Sequence, residues 1–290
     1  MTDDDSNITG SDFLADLSWQ IAMGADECIG NAPINRYEKV ETDKAKRLAA
    51  HKALQDTASS APKANDATTP MRAAVSRNAP LGAAEAIVES KKIAGASTSL
   101  AELEEAILGF DGCALKQTAG NTVIGDGLGD GDIMFIGEAP GDADDKEGKP
   151  FMGASGQMLD VMLSFIGINR ENAYFTNALY WRPPGKRTPT DGEIATCLPL
   201  LRRQIELVNP KVVVLLGNIP ANMLLENTTS IKRLRGKWVG LNLDGLEGEI
   251  SALPMFHPTF LLKNSEQKRL AWADMLSLRA KLEELELNLN

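Results

Sequence analysis

Four short runs dominated by apolar residues recur through the second half of the chain, at Asp132–Ile136, Ala173–Thr176, Lys211–Leu216 and Leu253–Phe256. Each has the length of a strand, and "VVVLL" is apolar enough to be covered on both faces. Between and after them the apolar positions fall at helical spacing, which predicts helices over Ala154–Ile166, Asp191–Val208, Ile219–Leu225 and Ser265–Leu285. Thr190 followed by Glu193 is a capping box for the second of these. "SLAELEEAILGF" adds an earlier helix opened by Ser99. Strands and helices alternate, so the pattern predicts an α/β fold over residues 99–290. Its three α/β/α layers would surround a central, mostly parallel four-stranded sheet.

The N-terminal part has a different texture. Residues 1–8 are acidic, and Phe13–Ala25 can form an amphipathic helix with Phe13, Leu14, Leu17 and Ile21 on one face, within an N-terminal segment 1–40. Residues 41–98 are rich in Ala, Ser, Thr, Lys and Asp with almost no aromatic side chains. Such a stretch cannot bury enough apolar surface to offset its ordering entropy, which predicts a flexible linker with a transient helix near Ala83–Ala94. A helix on a long tether suits the docking of a protein partner. A dispensable tail fits equally well.

Composition narrows the class. The 290 residues, 43% of them hydrophobic, can bury a substantial core. The net charge of −10 argues against a protein that coats nucleic acid non-specifically, although local patches matter more than the sum. Cys28, Cys113 and Cys197 are too few and too scattered for a disulfide framework, and they fit a reducing compartment. No run is apolar and long enough to span a membrane. The expectation is a cytoplasmic monomer.

Ligands of parallel sheets bind beyond the carboxyl ends of the strands, and each unusual loop here follows a strand. "GEAPGDADDKEGKPFMG" (Gly137–Gly153) supplies Glu138, Asp144, Asp145 and Phe151. "NALYWRPPGKRTPT" supplies Asn177, Arg182, Lys186 and Arg187, and "HPTFLLK" supplies His257, Leu261, Leu262 and Lys263. Taken singly, each has an ordinary structural reading: a turn-forming Asn, a core Leu pair, a solvated acidic loop. Their convergence at successive strand ends is what those readings do not predict. A Phe ring can carry a planar base, an amide can match a pyrimidine edge, and a histidine can donate to an oxygen gaining charge. Carboxylates can position water and stabilise a cationic sugar. Lys and Arg can hold phosphates, and a leucine can fill the gap left by an extruded base. A nucleotide-phosphate enzyme is disfavoured by the acids of the first loop and the lack of a Walker lysine.

From about Glu102 to Leu285 the sequence resembles the family-four uracil-DNA glycosylases. The resemblance rests on those three loops together with "CLPLLRRQIELVNPKVVVLLG" and "IKRLRGKW", in order. It implies a uracil-DNA glycosylase-like fold and an enzyme that flips uracil out of DNA and hydrolyses its N-glycosidic bond to start base excision repair. Phe151 would stack on the base and Asn177 would read its edge, with Gly137 and Ala139 completing the substrate-binding set. His257 would hydrogen-bond the leaving base, while Glu138 and Asp144 would be the catalytic carboxylates. Leu261 or Leu262 would be the wedge. DNA would be held by Arg182, Lys186, Arg187, Arg233, Arg235 and Lys263, since "WRPPGKR" and "IKRLRGKW" contain no acids. The implied partner is uracil-containing DNA.

One departure from the family pattern is large. The resemblance implies four cysteines around an iron–sulfur cluster, and only Cys113 and Cys197 match. Phe110 and Trp181 stand at the other two positions, and a four-thiolate site needs four ligands. The expectation is a protein without a cluster, its loops pinned by an apolar mini-core. The lost ligands and the N-terminal extension leave a second reading open: a non-catalytic DNA-binding or recruitment module that retains the fold.

Overall fold

The computed structural model describes residues 82–287; the amphipathic stretch Phe13–Ala25 and most of the alanine-rich linker lie outside them. At its centre is a six-stranded sheet made of β1 (Gly125–Gly127), β2 (Ile133–Gly137), β3 (Tyr174–Asn177), β4 (Val212–Leu216), β5 (Val239–Leu241) and β6 (Ile250–Met255). The spatial order is β1-β3-β2-β4-β6-β5. The inner four strands are parallel and the two edge strands antiparallel.

The inner four are the strands that the apolar runs predict. The sheet is nevertheless larger than the four strands expected. β1 is Gly-Asp-Gly and β5 has three residues, so neither carries an apolar run. Edge strands need only one set of ladder bonds and little burial, which leaves them nearly silent in sequence. Gly125 also makes room for a neighbour, since a Cβ there would lie 2.0 Å from the Tyr174 hydroxyl.

β2 and β4 are buried at every position. Side chains alternate between faces along a strand, so helices must cover both sides of the sheet. Among the described residues these are α1 (Ala83–Ala96), α2 (Leu100–Gly109), α3 (Asp142–Glu147), α4 (Ala154–Ser164), α5 (Asp191–Val208), α6 (Asn218–Leu224), α7 (Ile231–Leu234), α8 (Pro258–Lys263) and α9 (Lys268–Glu284). The capping box of α5 forms as its sequence indicates: Glu193 N–H donates to Thr190 Oγ1 and Thr190 N–H to the Glu193 carboxylate. Ser99 likewise accepts from the Glu102 amide at the start of α2.

Order begins before Ser99. Residues 83–96, at the end of the low-complexity stretch, form the continuous helix α1, packed on α5. Its buried positions are Ala86, Ser90 and Ala94, a stripe of small residues at four-residue spacing. Arg203 on α5 donates to the Ser97 carbonyl through Nε at 3.0 Å and Nη2 at 2.9 Å. A stripe of Ala and Ser has little hydrophobicity, yet it allows close helix approach, so composition alone reads it as linker.

The parallel order sets the ends of β3, β2, β4 and β6 side by side along one edge of the sheet. Asn177 pairs in register with Gly137. Glu138, Gly217 and His257 follow the other strand ends. The three loops singled out in the sequence therefore open on one side.

Candidate active site

Asn177 and Phe151 crowd against Gly137 at the end of β2. A Cβ there would lie 2.4 Å from Asn177 Oδ1 and 2.7 Å from Phe151 Cζ, so only glycine lets both side chains fold over the strand end. Phe151 is buried and adopts φ +59°, a left-handed conformation that costs a side-chain-bearing residue on the order of 1–3 kcal/mol. Its ring meets Phe175 edge-on at 6.1 Å and faces His257 at 6.3 Å, 28° from parallel. Asn177 is also buried, and its amide nitrogen Nδ2 has no hydrogen-bond acceptor among the described residues.

His257 lies two residues past the end of β6 and caps α8. Pro258 at the first helical position has no N–H, so the first unpaired amide is that of Thr259, which donates to His257 Nδ1 at 3.2 Å. A ring that accepts at Nδ1 carries its proton on Nε2 when neutral. Burial among the surrounding groups pushes its pKa down to about 4, so the ring is neutral near pH 7. Thr259, which fixes this tautomer, carries no signal of its own in the sequence.

The two expected carboxylates have different surroundings. Glu138 Oε1 accepts from the Asn218 amide at 2.9 Å and, more weakly, from that of Ile219 at 3.5 Å, at the start of α6. Burial raises its pKa above the ordinary range, against the pull of those two amides. Gly217 at φ +107° is required beside it, because a Cβ would sit 2.4 Å from Glu138 Oε1. Asp144 has both oxygens taken by backbone: Oδ2 accepts from Gly141 at 2.9 Å and Oδ1 from Met152 at 2.7 Å. It staples the loop that carries Phe151.

Two adjoining clefts of about 310 and 390 Å3 share Glu138, His257, Thr259 and Lys263 as a common wall. Ala139 lines the larger one. Leu262 is 47% exposed, whereas Leu261 is 2% exposed and belongs to the core.

The basic loops are less free than their own sequences indicate. Arg182 pairs with Asp142 and lies 3.7 Å from Asp145; Lys186 reaches Asp142 at 2.8 Å. Arg187 forms a two-pronged pair with Glu193 at 2.6 and 2.8 Å. Arg235 is bound to the buried Asp274 and lies over the Phe256 ring at 5.5 Å. The partner acids come from α3, α5 and α9, which a count within one loop does not see. Lys232, Arg233, Lys237 and Lys263 are exposed and make no ion pair among the described residues. Lys232 and Lys263 line the smaller cleft.

Around the cysteines the donor set does not suit a four-thiolate cluster. Cys113 and Cys197 are buried, and the hydrogen bond between their thiols draws Cys113 down while it and burial push Cys197 up. The other two positions hold the Phe110 and Trp181 rings, 6.2 Å apart and almost fully buried. Tyr180 packs edge-on against Trp181 at 5.8 Å, and Trp181 Nε1 donates to Thr122 Oγ1 at 3.0 Å. Among the described residues no group of three or more His, Cys, Asp or Glu is arranged to hold a metal ion. Cys28 lies outside those residues.

A family model described as the uracil DNA glycosylase superfamily matches residues 125–276. A Type-4 uracil-DNA glycosylase of Sulfurisphaera tokodaii is 37% identical over 186 residues, covering 62% of this chain and 84% of that protein. Another from Thermotoga maritima is 39% identical over 166 residues, covering 56% of this chain and 84% of its own length. A DNA polymerase of Bacillus phage SP01 is 28% identical over 170 residues, 58% of this chain but 18% of that protein.

Proposed function

The chain belongs to the uracil DNA glycosylase superfamily, and on that footing we propose that it excises uracil from DNA by hydrolysing the N-glycosidic bond. The observation that carries this reading is Asn177 Nδ2, a buried donor without an acceptor among the described residues, beside the rings of Phe151 and His257. Leaving such a group unpaired costs about 1–3 kcal/mol. A pyrimidine carbonyl seated on Phe151 would supply the missing acceptor.

A base stacked in a duplex cannot reach this pocket, so the nucleotide must be turned out of the helix. Leu262, exposed beside the cleft, is the side chain able to fill the vacated space. As the bond from C1′ to the base breaks, its electron pair leaves with uracil and the sugar becomes oxocarbenium-like. The neutral His257 ring donates from Nε2 to the base oxygen on which charge accumulates. Glu138 Oε2 accepts from no donor among the described residues, and Glu138 is the carboxylate that orients water toward C1′. Asp144 acts on the loop instead.

Release of uracil is tested by incubating the protein with a uracil-containing oligonucleotide and revealing abasic sites with alkali. Strand breaks at the uracil position are expected. Binding to that DNA without breaks above an inactive control would favour a non-catalytic DNA-binding module.

We also propose that this member carries no iron–sulfur cluster. The support is chemical: two rings and two thiols occupy the ligand positions, and Trp181 is hydrogen-bonded and packed rather than loosely filling a gap. Protein purified without oxygen should be colourless. Absorbance near 400 nm with about four irons per chain, as a cubane requires, would overturn this.

A further inference from the structure

We propose that Arg170 is a positioning residue that holds the base-stacking ring of Phe151 in place, an assignment that rests on the uracil-excision reading above. Phe151 needs outside support, because φ +59° is not a conformation that a phenylalanine favours. Arg170 supplies it from the turn between α4 and β3. Its Nη2 donates to the Phe151 carbonyl at 3.0 Å and its Nη1 to the preceding Pro150 carbonyl at 3.1 Å. A planar guanidinium can grip two successive carbonyls at once, which a lysine cannot.

The guanidinium is itself fixed. Asp126 on β1 accepts from Nη1 at 2.8 Å, and Lys149 holds the other Asp126 oxygen at 2.8 Å. Asp160 on α4 lies 3.4 Å from Nε. The Arg170 guanidinium carbon also lies 5.2 Å from the centroid of Phe175, whose ring abuts Phe151. Gly156 completes the cradle: a Cβ there would lie 1.7 Å from the Phe151 oxygen. Without Arg170 the two carbonyls lose their donor, and Phe151 is free to relax toward extended backbone with its ring turned away from Gly137 and Asn177.

The test is a double-mutant cycle in the full-length protein, read by single-turnover excision from a uracil-containing oligonucleotide. Arg170→Gln should slow excision about 100-fold, the scale expected for a misplaced binding group. Binding to an otherwise identical oligonucleotide with an abasic site, which has no base to stack, should change less than about twofold. Added to Phe151→Ala, the same substitution should cost less than about twofold more, because residues acting as a unit are not additive. Arg170→Lys should recover only part of the rate. A fully additive cost in the Phe151→Ala background, or a near-normal rate in Arg170→Gln, would overturn the assignment. If thermal unfolding shows Arg170→Gln to be unfolded, Arg170→Lys decides by the same cycle. An inactive wild type would instead sink the excision reading.

Discussion

At His257 a local backbone requirement and a chemical one coincide. Pro258 leaves the Thr259 amide as the donor to be capped, and capping it commits the neutral ring to carrying its proton on Nε2. With a folded pKa of about 4 against an ordinary 6.5, the folded state prefers the uncharged ring. The stability drawn from that preference is complete above pH about 6.5, declines as the pH falls, and is gone below about 4. The urea midpoint of His257→Asn should therefore fall less steeply than that of the wild type across this window. Equal slopes would show that burial does not depress the imidazole. The carboxylates are separable in the same way. Glu138→Gln should lower the single-turnover rate by about 100-fold or more while leaving DNA affinity near normal, as removal of a purely transition-state interaction does. Asp144→Asn should act through the Phe151 loop, weakening capture of uracil. A Glu138→Gln enzyme at full rate would remove Glu138 from the chemistry. Glu138, Asn177 and His257 draw notice in the sequence because they stand at or just past the ends of apolar runs. The His257 tautomer and the engagement of both Asp144 oxygens are set by backbone amides a few residues away, which no side-chain pattern announces, and the Phe151 φ of +59° is held by Arg170, 19 residues further on.

The elements that the sequence omits, or gives only as a transient helix, share one property: they are stabilised without much apolar surface. β1 offers two glycines and an aspartate, and α1 packs through Ala86, Ser90 and Ala94. The basic loops mislead for a related reason, since charge read along one segment omits the acids brought by another. Arg182, Lys186 and Arg187 already face Asp142 and Glu193, leaving Lys232, Arg233 and Lys263 as the freer cations. Neutralising those three should weaken DNA binding and flatten its salt dependence by about 0.9 in logarithmic slope for each phosphate no longer neutralised. Asp142→Asn should strengthen binding by releasing Arg182 and Lys186. An unchanged slope in the first variant would move the DNA path off the α7–α8 side. At the replaced cluster positions, Trp181→Ala removes a buried ring and its hydrogen bond to Thr122. A loss of about 3–5 kcal/mol in denaturant unfolding is expected. A loss under about 1 kcal/mol would mean that the aromatic pair does not pin these loops.

On the scale of the whole molecule, a net charge of −10 coexists with a cleft lined by lysines, because association with DNA depends on the field at the site rather than on the total. The fold class was legible because the inner strands are nearly pure apolar runs. The starting point of the ordered unit was not. Its described part already includes α1 at Ala83–Ala96, so truncation before residue 79 should spare activity, whereas deletion through residue 95 would strip α1 from α5 and lower the melting temperature. The central claim is that a pocket built from Phe151, Asn177 and His257 removes uracil. Its most direct test is a single-turnover time course of free uracil released from a uracil-containing oligonucleotide, run in parallel for the wild type and Asn177→Ala. The wild type should release one uracil per site, and Asn177→Ala should be slower by about two orders of magnitude or more, having lost a donor in a water-excluded pocket. No uracil released by the wild type, or equal rates in the two proteins, would contradict the account.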